Sequence, residues 1–139
     1  MTDIKTLAAE VSVVGPRIGR SIMMRIVQAY DISHSQLFAL MTLQEAGGMR
    51  ISDLANSLQV SAPTITGVIS RLEREKYVQR TPDPEDRRAV HVQLTAKGRS
   101  TVRRIRRIAQ KRWAEILSHV SEKEAEAFVK NLKMIANYV

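Results

Sequence analysis

Apolar residues recur at three- and four-residue intervals along most of the chain and switch to strict alternation in one place. Leu7, Val11, Val14, Ile18 and Ile22 form one stripe and predict a helix from Asp3 to Tyr30. Gly15 and Pro16 interrupt it, and the missing proline donor predicts a kink or a fresh start near Pro16. Ser33 with Gln36 reads as a capping box opening a helix through Glu45, which Gly47 and Gly48 end. Ser52 is the expected cap of a short helix with Leu54, Ala55 and Leu58 inward, and Val60 the expected plug in the angle that follows. Gln59 stands at the turn position where glycine is usual. Ile65, Val68, Ile69 and Leu72 then give a second short helix, with Ser61 as N-cap and Pro63 in its first turn.

Alternation sets in after this helix. Tyr77 to Thr81 and Ala89 to Leu94 read as strands flanking the polar loop PDPEDRR, with Val90, Val92 and Leu94 opposed to Ala89, His91 and Gln93. Met49 to Ile51 is expected to add a third, short strand. Thr95 caps a long helix reaching about Val120, with Val102, Ile105, Ala109, Ile116 and Val120 inward and Trp113 near that stripe. Ser121 caps a last helix whose stripe is Ala125, Phe128, Leu132 and Ile135. The fold class is mainly α with a small antiparallel β-wing, α+β overall.

Two short helices, a tight turn and a basic hairpin make a winged helix-turn-helix, an arrangement that reads double-stranded DNA. The face of the second helix opposite its apolar stripe collects Pro63, Thr66, Gly67, Ser70 and Arg74, with Thr64 and Arg71 at its edges. Together with Ser61 these are the candidate recognition residues: short side chains admit the backbone to base edges, and arginines reach guanine or phosphate. The hairpin tip contributes Arg87 and Arg88 for a minor groove, with Asp86 close enough to brace an arginine. Taken alone, the helix also reads as an ordinary amphipathic surface helix and the loop as a solvated turn.

The run RLEREKYVQRTPDPEDRRAVHVQLTAKG resembles the signature of the MarR family of transcription regulators: a wing with Asp-x-Arg, then a strand ending Leu-Thr and a nearby Gly. Here those positions are Asp86, Arg88, Leu94, Thr95 and Gly98, and DISHSQLFALMTL resembles the family's second helix. The resemblance covers essentially the whole chain. It implies one MarR-type domain over residues 1–139, a winged lobe at 35–95, and dimerisation helices at 1–30 and 100–139. It also implies that Arg88 is the wing-tip arginine and Asp86 its partner, with Arg87 able to share the role. A homodimer on a near-palindromic operator follows, most often a repressor released by a small aromatic, phenolic or lipophilic effector. The implied effector pocket draws on Met23, His34, Phe38, Met41 and Trp113, with Arg99 or Arg103 for an effector carboxylate.

Charge sharpens the picture. The net charge is +8; residues 1–60 carry five basic and five acidic side chains, 61–112 fourteen and five, and 113–139 three and four, giving 0, +9 and −1. A positive field confined to the reading half and the helix after it attracts a polyanion and makes affinity fall with salt. The terminal stripes are apolar enough to ask for a second copy, which would set two recognition helices about one DNA turn apart.

With no cysteine, disulfides, thiolate metal sites and thiol-based redox sensing are excluded. No nucleophile elbow, phosphate-binding glycine loop or His-Glu-x-x-His occurs, so neither a catalytic residue nor a cofactor is expected. Glu115, His119 and Glu122 form a weak candidate metal set, and a bare Glu/His pair four apart is more often solvated surface, so no metal residue is assigned. No apolar run reaches membrane-span length and the N-terminus lacks a signal-peptide layout, which predicts a cytoplasmic protein without membrane contact. Two alternatives stay open: a non-specific or architectural DNA binder, and a metal-responsive or non-DNA interaction protein.

Overall fold

The computed structural model describes residues 1–139 as six helices and a three-stranded sheet. In order these are α1 (Ile4–Tyr30), α2 (His34–Ala46), β1 (Met49–Arg50), α3 (Ile51–Leu58), α4 (Ala62–Arg74), β2 (Val78–Pro82), β3 (Val90–Leu94), α5 (Ala96–Leu117) and α6 (Glu122–Ala136). They divide into two units, residues 24–106 and residues 1–23 with 107–139. No helix is long and apolar enough to cross a membrane.

The first unit holds the buried core. Leu37, Leu40 and Leu43 of α2, Leu54 of α3, Ile65, Ile69 and Leu72 of α4, Val78 and Val92 of the sheet, and Val102 and Ile105 of α5 are all but inaccessible. Each such side chain contributes about 1.5–3 kcal/mol on leaving water. The antiparallel sheet has the order β1-β3-β2, with Met49 opposite Val92 and Arg80 opposite Val92 from the other side. Capping at α2 is as the spacing predicts: the Ser33 side chain accepts from the Gln36 N–H, the Gln36 side chain accepts from the Ser33 N–H, and Gly47 closes the helix at φ 72°. The Thr95 hydroxyl accepts from the Gly98 N–H at 3.0 Å and donates to the Lys76 carbonyl at 2.6 Å, tying the start of α5 to the turn after α4.

Four expectations need correction. The fresh start expected near Pro16 does not occur, since α1 runs through Pro16 as one helix. The carbonyl it leaves unbonded, on Ser12, lies on an exposed stretch where water can take it. Ser52 is not a cap: Met49 and Arg50 pair with β3, so the chain enters α3 directly from the strand with extended Arg50 at the N-cap and no side-chain bond there. For the same reason Ile51 opens α3 rather than extending β1. The long helix stops at Leu117, three residues before Val120. Ser121 must be extended (φ −66°, ψ 156°) to cap α6, so residues 118–120 unwind and leave Val120 exposed.

In the second unit no residue is buried. The Trp113 and Phe128 rings meet at 5.9 Å, and Arg112 donates to the Ser21 hydroxyl and the Glu115 carboxylate, both at 2.8 Å. Leu7, Val11 and Val14 of α1 and Phe128, Leu132 and Ile135 of α6 remain exposed.

Candidate nucleic-acid interface

The turn between α3 and α4 is built by Gln59 in the left-handed region at φ 54°, ψ 44°. A non-glycine residue there carries modest strain, offset by the bonds the turn closes. The Gln59 N–H donates to the Asn56 carbonyl at 3.1 Å and the Val60 N–H to the Ala55 carbonyl at 3.0 Å. Val60 then lines a small cavity with Leu58, Phe38, Ile65 and Val68. Ser61 follows as the N-cap of α4, its hydroxyl 3.3 Å from the Thr64 N–H and 2.8 Å from the Thr64 hydroxyl.

Ile65, Ile69 and Leu72 are buried and Val68 is half-buried, so the opposite face of α4 is the free one. Pro63, Thr64, Thr66, Gly67, Arg71 and Arg74 are exposed along it. Thr66 donates its hydroxyl to the Ala62 carbonyl at 2.8 Å, leaving an acceptor outward. A Cβ added at Gly67 would meet nothing within 4 Å, so no contact inside this chain requires glycine there. Ser70 is not free: its hydroxyl accepts from the Arg80 guanidinium at 3.0 Å, and Glu73 holds the same guanidinium at 3.4 Å. Arg80 of β2 is thereby fixed against the α4 face, a placement the sequence pattern did not show.

The wing turns on Asp83, which is 7% exposed. Its carboxylate accepts from Arg50 Nε at 2.8 Å, from Arg50 Nη2 at 3.2 Å, and from the N–H groups of Glu85 and Asp86 at 2.9 Å each. The Arg50 hydrogen bond foremost, and then the Glu85 N–H, hold this carboxyl well below the usual carboxylate range. Beyond it, Asp86 accepts from the Arg88 N–H at 3.0 Å and stands 3.5 Å from Arg88 Nε, while the Arg88 side chain is 94% exposed. Arg87 is exposed beside it. A rigid base thus presents two cations at a free tip.

A family model described as MarR family matches residues 32–90, from the approach to α2 to the start of β3. An uncharacterized HTH-type transcriptional regulator of Mycobacterium bovis, Mb0904, is 34% identical over 120 residues, 86% of this chain and 83% of that one. The chain belongs to the MarR family. A second regulator with a similar name, YfiV of Bacillus subtilis, is 31% identical over 106 residues, 76% of this chain and 66% of its own length. This chain therefore spans just under two thirds of YfiV. Among solved structures, a mutant MepR of S. aureus bound to an oligodeoxyribonucleotide superposes with a TM-score of 0.71 at 26% identity, covering 96% of this chain and 99% of that one.

As a MarR-family transcriptional regulator the chain is a DNA-binding protein with a winged-helix fold. The effector residues implied by the resemblance fall in both units: His34, Phe38 and Met41 in residues 24–106, Met23 and Trp113 in the other. Phe38 is half-exposed at the cavity beside Val60, and Trp113 meets Phe128. Arg99 donates to the Leu94 carbonyl at 3.0 Å. No three His, Cys, Asp or Glu side chains gather where they could hold a cation, and Glu115 of the candidate metal set is engaged by Arg112. The residues that sequence reasoning missed are Arg50, Asp83, Glu73 and Arg80. Only Asp83 left a signal, as an aspartate between two prolines whose side chain suits backbone N–H groups two and three residues on.

Proposed function

We propose that this MarR-family protein is a homodimeric, operator-specific repressor that reads DNA with the Ser61 to Arg74 face of α4 and with Arg87 and Arg88 of the wing. The observation that carries the reading is that the free face of α4, small and hydroxyl-bearing with arginines at its end, and a wing tip braced by Asp86 belong to one unit. The mutant MepR bound to an oligodeoxyribonucleotide, a relative in fold, supports the same role. Dimerisation through α1 and α6 is supported by their uncovered apolar stripes. Release by a small aromatic or lipophilic effector completes the proposal, with Met23, His34, Phe38, Met41 and Trp113 as its candidates.

The test is a salt-controlled titration against the protein's own upstream intergenic duplex and a scrambled duplex of equal length. A preference of roughly a thousandfold or more, with two protomers per site, is the expected result. Equal affinity for both duplexes would establish the architectural alternative instead.

A further inference from the structure

Residues 96–112 of α5 carry eight cations and no acid. Three are engaged: Lys97 donates to the Glu75 carbonyl at 2.7 Å, Arg99 to the Leu94 carbonyl, and Arg112 to Ser21 and Glu115. The other five, Arg103, Arg104, Arg106, Arg107 and Lys111, are exposed and have no hydrogen-bond or ion-pair partner. Three wing-unit arginines, by contrast, each face a carboxylate: Arg50 with Asp83, Arg80 with Glu73, Arg88 with Asp86.

Arg103, Arg107 and Lys111 stand four apart, which stacks them in one row about 12 Å long on a straight helix. Arg104 and Arg106 flank the row. Like charges at this spacing oppose one another and weaken the helix, and nothing in the chain offsets them. We propose that this face is a second, sequence-independent surface for the phosphate backbone of duplex DNA. The proposal rests on the DNA-binding reading above and adds a surface to it.

The choice of partner follows from what surrounds the charges. No large apolar residue is exposed on α5, so the face has nothing to insert into a lipid interface. A second copy of the same face would repel it. Duplex DNA carries one negative charge per ~1.7 Å, so about seven charges lie along the length of the row. Four of the five cations are arginines, the side chain best shaped for phosphate oxygens.

The test uses the full chain with Arg103→Gln, Arg107→Gln and Lys111→Gln combined, titrated at several salt concentrations against the upstream and scrambled duplexes. Affinity for both should fall by the same factor, roughly ten- to a hundredfold at low salt, with the ratio between them kept. The slope of log affinity against log salt should become shallower by about two to three, while the melting temperature holds or rises. Unchanged affinity and slope for both duplexes overturn the proposal. Equal losses in the variant, when the wild type shows no preference for its upstream duplex, refute operator specificity but support the α5 surface. Loss of binding to phosphatidylserine-containing vesicles with duplex affinity intact overturns it in favour of a membrane contact.

Discussion

Arg50 and Asp83, 33 residues apart, form a two-pronged ion pair at 2.8 and 3.2 Å that fastens the wing loop to the edge strand β1. Asp83 also holds the first N–H groups of that loop, so one carboxylate fixes both the base and the direction of the tip. Its folded acidity lies below the ordinary value, and such a carboxylate stabilises only while ionised. Its contribution is therefore whole above the unfolded value of about 3.9 and is lost as pH falls through the lower folded value. Protection of the Glu85 and Asp86 amides, their exchange relative to the intrinsic rate at the same pH, should fall on acidification below about pH 4 before the core opens. Asp83→Ala should abolish that step at every pH, and Arg50→Ala should move its midpoint upward. An NMR pH titration of the three proteins reads it directly.

Arg88→Ala tests the tip without touching the base. The side chain is almost wholly exposed, so the melting temperature should not move. Duplex affinity should fall roughly tenfold, and the salt slope by about 0.9 if the guanidinium meets one phosphate. Asp86→Ala should give a smaller loss, because it frees the arginine without removing it. Affinity unchanged in Arg88→Ala would remove the wing from the interface.

Much of this reading unit was legible beforehand because local rules agree with the fold. Ser33, Ser61 and Thr95 all bond a backbone N–H at the start of the expected helix, as Ser121 does in the other unit. The stripe Ile65, Ile69 and Leu72 is buried, and Gln59 takes the left-handed turn. What local pattern does not show depends on strand register. Arg50 finds Asp83 only once β1, β3 and β2 are laid side by side, and Arg80 finds Ser70 and Glu73 only once β2 folds back against α4. The cap at α3 failed for the same reason, since pairing of Arg50 with β3 decides where that helix begins.

The exposed stripe on α6 gives a test of the proposed dimer. Leu132→Glu with Ile135→Glu places two charges where apolar surface needs cover, and neither side chain is buried in the single chain. Sedimentation should therefore show a folded monomer, with the helical content of the wild type kept. Operator affinity should fall steeply, because each protomer then binds a half-site alone. A variant that still sediments as a dimer would place the interface elsewhere.

Two glycines of the unit formed by residues 24–106 separate a packing role from a binding role. Gly98 is buried at the start of α5, where an added Cβ would collide with the Tyr77 carbonyl oxygen and lie 3.3 Å from Leu94 Cβ. That carbonyl cannot retreat, since it accepts from the Thr95 N–H at 3.0 Å. Gly98→Ala should cost about 1–3 kcal/mol of stability, with DNA affinity per folded molecule unchanged. Gly67 is the opposite case, an exposed glycine inside α4 with open space around it. Gly67→Ala should raise stability by about 0.5–1 kcal/mol, because alanine is the better helix former and meets no obstacle. If α4 lies in the major groove with its backbone close to the base edges, the added methyl should lower duplex affinity by roughly tenfold while the melting temperature rises. Stability and affinity moving in opposite directions is a result that a folding defect cannot produce. A stabilised Gly67→Ala that binds as well as the wild type would turn this face of α4 away from the DNA.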